Sequence, residues 1–149
     1  MMKLYFAGPL FNIAERAFNT DLTKQIEELG YDVFLPQRDG IENVSGGQMV
    51  EKEEKRKLMF CLDRDEIIKS EIFLFVLDGR VPDEGACVEL GIAYADKYQN
   101  NRNRKIIGIH TDSRAAFIEG RLNPMISMAF DVIYRNVEEL IDYLRANRE

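Results

Sequence analysis

The chain has 149 residues, of which 46% are apolar, and this is enough to build the core of one compact domain. Its net charge is −6 and its isoelectric point is about 5.0, which disfavours DNA and RNA as partners because an acidic surface repels phosphate backbones. The N-terminal residues lack the pattern of a signal peptide, and no apolar run approaches the roughly 20 residues that span a bilayer, so we expect residues 1–149 to form a single cytoplasmic domain with no membrane partner.

The first half of the chain predicts two strands and two helices. Short apolar runs over 3–7 and 31–35 each end at a glycine or proline and predict strands. A helix is predicted over 12–29, a loop over 36–48 and a charged helix over 49–69. The helical residues expected to face the core share helical spacing: Ala14, Phe18, Leu22, Ile26 and Leu29 in the first helix, and Leu58, Leu62 and Ile67 or Ile68 in the second.

The second half contains the clearest strand, an unbroken apolar run over 71–77 that is typical of a central strand covered on both faces. The remaining predicted elements are a helix over 85–97, a turn over 98–104, a strand over 105–109, an irregular segment over 111–130 with short helical pieces at 115–117 and 126–129, an edge strand over 131–134 and a helix over 137–145.

Strands and helices alternate along the whole chain, which is typical of a parallel sheet. We therefore predict an α/β fold with a doubly wound, flavodoxin-like (Rossmann-like) sheet of five parallel strands and helices on both faces. Binding sites in such folds lie beyond the C-terminal ends of the strands. Three segments are expected to meet there: 8–12, 78–85 and the residues after Ile109.

Cysteine and histidine give no sign of a metal centre. Cys61 and Cys87 lack metal-type spacing, so one disulfide is compatible with the sequence and two free thiols in a reducing compartment are the simpler interpretation. The sole histidine, His110, has no plausible His or Cys partner, and we interpret it as a structural residue at a strand end. We expect no metal site.

The most informative stretch surrounds Glu89, which follows the central strand and falls in the first turn or so of a helix. The helix dipole and the free N–H groups there are expected to favour the ionised carboxylate. Such a carboxylate can attack an anomeric carbon and form a covalent glycosyl-enzyme. Gly85 and Gly91 would let backbone and substrate approach closely. The alternative interpretation is that Glu89 is a solvated helix residue.

Tyr5 and Asp63 are further candidates. Tyr5 lies in the first strand, where its hydroxyl group can orient a carboxylate at the sheet edge, although a strand aromatic needs no such role. Asp63 lies late in the charged helix, where it is either a functional acid or one of several surface charges.

Four motifs together resemble the nucleoside 2-deoxyribosyltransferase family, from the first strand to about Met128. They are YFAGPLF at the first strand, D-x7-E-I from Asp63 to Ile72, PDEGACVELGIA around Glu89, and the triplet Asn123-Pro124-Met125.

The resemblance implies a role for each matching residue. Glu89 would be the nucleophile at C1′ of 2-deoxyribose, and Tyr5 would hydrogen-bond to its carboxylate. Asp63 and Asp83 would face the base and manage its proton. Further matching positions would bind the substrate: Gly8 and Pro9 at the floor near the base, and Asn123 and Met125, which would reach the sugar site of a neighbouring subunit, with Asn123 binding the 5′ hydroxyl group.

The implied reaction is a retaining double displacement that moves 2-deoxyribose between nucleobases in nucleoside salvage and needs no cofactor. Its partners would be deoxynucleosides and free nucleobases, and the protein would be a homo-oligomer.

Two alternatives remain open. One is an N-glycosidase acting on deoxynucleosides or their 5′-monophosphates. Relatives of that type commonly carry Ser at position 83, where Asp83 would repel phosphate and so favours nucleosides, whereas Arg80 argues mildly for phosphate. The other alternative is a non-catalytic nucleotide-binding module, which is disfavoured because clustered carboxylates repel one another without benefit to a simple binder.

Overall fold

A computed structural model of the chain describes residues 1–41, 52–114 and 122–148. Five strands of these residues pair in parallel in one sheet. They are β1 (Lys3–Ala7), β2 (Asp32–Phe34), β3 (Ile72–Val76), β4 (Lys105–Ile109) and β5 (Val132–Tyr134). Their spatial order is β2-β1-β3-β4-β5, so the chain winds outward in both directions from the β1–β3 pair. The predicted α/β fold with five parallel strands is confirmed.

The helices alternate with these strands along the chain. Within the described residues they are α1 (Ile13–Glu28), α2 (Pro36–Asp39), α3 (Lys52–Lys69), α4 (Glu84–Gln99), α5 (Pro124–Ser127) and α6 (Val137–Ala146). Asn12 begins α1 as a capping box, because its side chain accepts from Glu15 N while the Glu15 side chain accepts from Asn12 N. None of these helices combines the length and apolar composition needed to cross a bilayer.

Two apolar cores lie on opposite faces of the sheet. Helices α1 and α6 pack on one face, and α3 and α4 pack on the other. Successive residues of a strand point to opposite faces, so Leu4 and Phe6 enter the first core while Tyr5 enters the second. Strand β3 is buried along its entire length, as expected for a central strand. The side chain of Tyr5 is thereby directed towards α3 and α4.

The expected core faces of α1 and α3 are partly wrong. Ala14 is exposed and Leu58 is 47% exposed, whereas Asn19 is buried. A row of residues at i+4 spacing drifts about 40° around a helix at each step, so Ala14 has turned away from the face that holds Leu22. Leu58 lies about two and a half turns before the buried Ile67, which places it on the opposite side of α3.

Most predicted boundaries agree with the structure to within two or three residues. The predicted loop over 36–48 contains the short helix α2, and its residues after 41 lie outside the described part of the chain. The start of the charged helix at 49–51 and the helical piece predicted at 115–117 also lie outside it. The short helix expected at 126–129 begins earlier, at Pro124, because Asn123 caps it.

Candidate active site

A cavity of about 290 Å³ opens at the C-terminal edge of the sheet. It lies beside the β1–β3 pair, where the direction of chain winding reverses and ligands bind in folds of this kind. The lining residues follow β1, surround α2, and project from α3 and the beginning of α4: Gly8, Leu10, Phe11, Pro36, Gly40, Ile41, Met59, Asp63, Asp83, Gly85 and Glu89.

Glu89 and Tyr5 meet at this cavity through a direct hydrogen bond. The Tyr5 hydroxyl group donates to Glu89 Oε1 over 2.9 Å. The tyrosine ring is fully buried and stacks on Phe34 and Phe73, with ring centroids 5.5 and 5.8 Å away. These two contacts hold the ring in one orientation, so the hydroxyl group is a fixed donor to the carboxylate. The hydrogen bond expected from the sequence is present.

The expectation that the surroundings of Glu89 favour its ionised form is wrong, because they favour the protonated form. Burial raises the pKa of Glu89 to about 8; the Tyr5 hydrogen bond lowers it, and the nearby charges of Asp63 and Asp83 raise it further. The free N–H groups of a helix belong to its first turn, whereas Glu89 lies in the second turn of α4. The helix terminus is therefore too far away to offset the burial of the side chain.

Asp83 is both a lining residue and the N-cap of α4. Its Oδ2 accepts from Ala86 N over 2.8 Å, which anchors the first turn. Gly85 follows within this turn, and a Cβ atom at that position would lie 3.3 Å from Asp83 Oδ2. The absence of a side chain at Gly85 leaves Asp83 accessible from the cavity. Burial and the charge of Asp83 together raise the pKa of the Cys87 thiol.

Asp63 reaches the cavity from α3, one turn after Met59, which also lines it. Its side chain is partly buried, and its charge acts on Glu89 across the cavity. Asp63 therefore lies at the same cavity as Glu89, and its functional role stays a prediction. Three carboxylates, from Asp63, Asp83 and Glu89, converge on one small space.

Gly8 forms the turn between β1 and the cavity. Its φ of +154° lies in a region that favours glycine, and a Cβ atom there would be only 2.9 Å from Val76 Cβ. Pro9 lines a different cavity, of about 320 Å³, and its carbonyl oxygen accepts from Asn19 Nδ2 over 2.9 Å. Gly8 therefore lines the Glu89 cavity as expected, and Pro9 does not.

The described residues that directly follow Ile109 lie at the second cavity, contrary to expectation. Asp112 and Arg114 line that cavity together with Pro9. The carboxylate of Asp78 accepts from the backbone N–H groups of Thr111 and Asp112 at 2.6 and 2.9 Å. These bonds tie the segment to the end of β3 on the side away from Glu89. Among the described residues of the three predicted segments, only those of the first two line the Glu89 cavity, and residues 115–121 lie outside the described part of the chain.

Asn123 and Met125 also lie apart from this cavity. The Asn123 side chain accepts from Met125 N over 2.9 Å and caps α5, and Met125 is 85% exposed. A contribution to the sugar site of a neighbouring subunit stays a prediction for both residues.

Sequence reasoning missed the apolar part of the cavity wall. Leu10 and Phe11 belong to the YFAGPLF motif, so their position just after the strand-end glycine could have indicated wall residues. The other members carry no recognisable signal, because they come from separate elements: Pro36, Ile41 and Met59. Apolar walls of this kind suit the flat faces of a nucleobase.

The described residues contain no group of three or more His, Cys, Asp or Glu side chains arranged to hold a metal ion. Cys61 and Cys87 are both free thiols, which resolves the choice between a disulfide and two thiols. His110 is buried, and its Nδ1 lies 3.1 Å from the guanidinium group of Arg135, in keeping with a structural role.

Comparisons with known proteins identify the family. The family described as Nucleoside 2-deoxyribosyltransferase matches residues 4–138. A conserved protein from Enterococcus faecalis V583 is similar in structure, with a TM-score of 0.74, 25% identity and 99% of each chain covered. A 2-deoxyribosyltransferase from Bacillus psychrosaccharolyticus has a TM-score of 0.74 and 20% identity, covering 95% of this chain and 91% of its own.

A CMP N-glycosidase from Clostridium botulinum has a TM-score of 0.55 and 21% identity, covering 97% of this chain and 98% of its own. A search of curated proteins finds no significant match. The family match covers most of the chain and indicates an enzyme of glycosyl transfer. The chain belongs to the nucleoside 2-deoxyribosyltransferase family.

Proposed function

We propose that this protein transfers 2-deoxyribose between nucleobases through a covalent ester on Glu89. The observation that carries the proposal is the 2.9 Å hydrogen bond from the buried Tyr5 to Glu89 Oε1. It holds a carboxylate in place at a cavity that also presents Asp63 and Asp83. Displacement at an anomeric carbon requires a positioned nucleophile and a carboxyl group that can transfer a proton, and this cavity contains both.

In the first displacement, ionised Glu89 attacks C1′ of the deoxynucleoside. A C1′–O bond forms, the C1′–N bond breaks, and the bonding electron pair leaves with the base. Asp63 or Asp83, in its protonated form, gives its proton to a nitrogen of that base, which departs neutral. The products are a neutral ester, a free base and an aspartate.

In the second displacement, a nitrogen of the incoming base attacks C1′ of the ester. The C1′–O bond breaks and restores the Glu89 carboxylate, and the N–H proton of the new base passes to the aspartate. Two successive inversions at C1′ give net retention of configuration.

Tyr5 fixes the nucleophile and does not itself exchange a proton. Burial raises the pKa of Tyr5 far above its ordinary value, and the negative charge of Glu89 adds to the effect. The phenol therefore remains a donor throughout the working pH range. With Oε1 held by this bond, Oε2 is the oxygen that attacks C1′.

The charge of the cavity favours neutral nucleosides over nucleotides. Among its described lining residues, three are acidic and none is Lys, Arg or His. A phosphate dianion would be repelled by these carboxylates without a compensating cation. The apolar wall that includes Leu10, Phe11 and Met59 suits the base. Deoxynucleosides and free nucleobases are therefore the proposed partners, and the proposed setting is deoxynucleoside salvage in the cytoplasm.

The test is base exchange by the purified protein. Deoxyinosine and adenine without phosphate should yield deoxyadenosine, and a requirement for phosphate would instead indicate a phosphorylase. Glu89→Ala should lower turnover by roughly a thousandfold or more. The matched control is Glu84→Ala, in the exposed first turn of the same helix, which should retain activity. Mass spectrometry should find one deoxyribosyl group on the parent protein and none on Glu89→Ala.

Hydrolysis is the second candidate, because a CMP N-glycosidase shares this fold. Water would then attack the Glu89 ester in place of a second base. The assay without an acceptor base distinguishes the two: an N-glycosidase releases free deoxyribose at the same rate with or without adenine. Parallel reactions with deoxynucleosides and their 5′-monophosphates identify the substrate class. Binding without any turnover would indicate the non-catalytic module.

A further inference from the structure

Arg104 immediately precedes β4, and its side chain is completely buried, with 0% exposure. The guanidinium group donates to four backbone carbonyl oxygens. They are those of Ile67, Ile68 and Ser70 at the end of α3, at 2.8, 2.8 and 3.0 Å, and that of Ala93 in α4, at 3.1 Å. One buried side chain therefore joins the two helices that carry the carboxylates of the cavity.

The carbonyl groups that Arg104 binds are related to those carboxylates by helix geometry. Ile67 follows Asp63 by four residues, and Ala93 follows Glu89 by four residues. In an α-helix the N–H group of residue i+4 bonds to the carbonyl oxygen of residue i. Arg104 thus holds the turn that adjoins Asp63 and the turn that adjoins Glu89.

Asp96 of α4 balances the charge of this buried cation. Its Oδ2 lies 2.9 Å from the Arg104 guanidinium group. Burial lowers the pKa of Arg104, and the charge of Asp96 opposes that effect. A planar guanidinium group can donate in several fixed directions at once, which the single ammonium group of lysine cannot reproduce.

We infer that Arg104 is a positioning residue that sets the separation between Asp63 and Glu89. The inference rests on the proposed function in treating these two carboxylates as the reacting groups. Helices α3 and α4 pack together on one face of the sheet, and Arg104 joins them about one helical turn beyond the two reacting residues. Burial and the charge of Asp63 both raise the pKa of Glu89. Separation of the helices would weaken both effects.

Arg102 provides a matched control. It donates to Ile68 O and Asp96, two groups that Arg104 also contacts. Its side chain is 33% exposed, and the contacts that the structure gives it include neither Ile67 nor Ala93. Arg102→Lys therefore perturbs the same corner of the fold while leaving the bridge between the two turns in place.

The experiment compares Arg104→Lys with Arg102→Lys by two measurements. The first is the titration of Glu89 in the ligand-free protein, followed by carbon-13 NMR of glutamate carboxyl groups and assigned with Glu89→Gln. The second is kcat and KM for base exchange. In Arg104→Lys the midpoint of the Glu89 titration should fall by about 0.5 pH unit. The kcat for base exchange should fall about tenfold, with KM changed less than about threefold. Arg102→Lys should match the parent in both.

A folded Arg104→Lys with the Glu89 midpoint and kcat of the parent overturns the inference. If that variant does not fold, Asp96→Asn tests the same bridge, because it removes the charge that orients the guanidinium group. In Asp96→Asn the midpoint of the Glu89 titration and kcat should both fall, by less than in Arg104→Lys. Values equal to those of the parent protein overturn the inference. A parent protein that exchanges no base defeats the proposed function, and the NMR titration then still decides the role of Arg104.

Discussion

The hydroxyl group of Tyr5 and the carboxylate of Glu89 are joined by a 2.9 Å hydrogen bond across 84 residues of sequence. This bond favours the ionised carboxylate, whereas burial and the charges of Asp63 and Asp83 favour the protonated form and raise the pKa of Glu89 to about 8. The hydrogen bond therefore moderates an effect that it does not reverse. Because the carboxylate is the attacking species in the proposed reaction, this balance should determine how the rate of base exchange responds to pH.

We expect kcat/KM for base exchange to rise with pH towards about pH 8 and to fall again where the acid that protonates the departing base has lost its proton. The pKa of Glu89 in the free enzyme is about 8, and below it the reactive ionised fraction falls about tenfold for each pH unit. Initial rates with deoxyinosine and adenine between about pH 6 and 9 measure this limb. A profile that stays flat down to about pH 5 would show that Glu89 titrates like an ordinary carboxyl group.

Glu89→Gln should stabilise the protein, and the gain should grow with pH. The pKa of Glu89 is raised in the folded state from an ordinary 4.5 to about 8. Its stabilising contribution is thus fully present below 4.5 and is lost as pH rises towards 8, because unfolding then releases a proton. Glutamine has no such dependence, so its advantage should reach on the order of 4 kcal/mol near pH 8. Urea unfolding at several pH values measures the difference in free energy of unfolding between Glu89→Gln and the parent protein. A difference that does not change with pH contradicts a raised pKa of Glu89.

Tyr5→Phe should keep the fold and slow the reaction about 10- to 100-fold near neutral pH. The ring stacking on Phe34 and Phe73 is preserved, whereas the hydrogen bond that lowers the pKa of Glu89 is lost. The rising limb of the rate profile should therefore move to higher pH. Tyr31→Phe is the control: Tyr31 donates to Leu144 O at the α6 end of the fold, so its loss should affect stability and leave the profile unchanged. A Tyr5→Phe profile like that of the parent would remove the orienting role.

Asp83 carries a structural and a proposed chemical role that two substitutions separate. Asp83→Asn keeps a side-chain oxygen for the bond to Ala86 N, so stability should hold while the rate falls at least about tenfold. Asp83→Ala should lose the same activity and also about 1 kcal/mol of stability. Parallel assays and urea titrations compare them. Full activity in Asp83→Asn would assign the base proton to Asp63 alone.

Asn123 should complete the site of a neighbouring subunit, since it does not line the Glu89 cavity of its own chain. Asn123→Ala and Glu89→Ala should each be nearly inactive. When the two variants are unfolded together and refolded as mixed oligomers, about a quarter or more of the activity of the parent should return, because some sites then contain both intact residues. Light scattering on the parent should show an oligomer. An active monomer, or a mixture that recovers nothing, would contradict the composite site.

The fold was predictable because its strands are strong local signals. The run over 71–77 is apolar throughout, and β3 within it is buried on both faces. Helix faces were harder to predict, because a small error of phase moves a residue around the helix. Leu58 was assigned to the core for that reason and is 47% exposed. Asn19 is buried instead, where its amide group binds Pro9 O and Gln37 Oε1.

The site was predictable in its residues more than in its electrostatics. The motif around Glu89 and the position of Tyr5 within β1, shortly before Gly8, indicated which groups meet. The pKa of Glu89 was not accessible, because burial depends on residues from four separate elements that surround the cavity. Arg104 was missed for a similar reason. It is the last residue of the polar segment over 98–104, and it becomes buried only when α3 and α4 pack beside it.

The proposed catalytic groups come from β1, α3 and α4, which are distant along the chain. Gly8 has room for no side chain where β1 ends against β3. No hairpin or helical fragment of the polypeptide can therefore hold even a rudimentary catalytic apparatus. Activity should appear during refolding in the same kinetic phase as the final consolidation of the sheet, which makes enzymatic turnover itself a reporter of native-state formation.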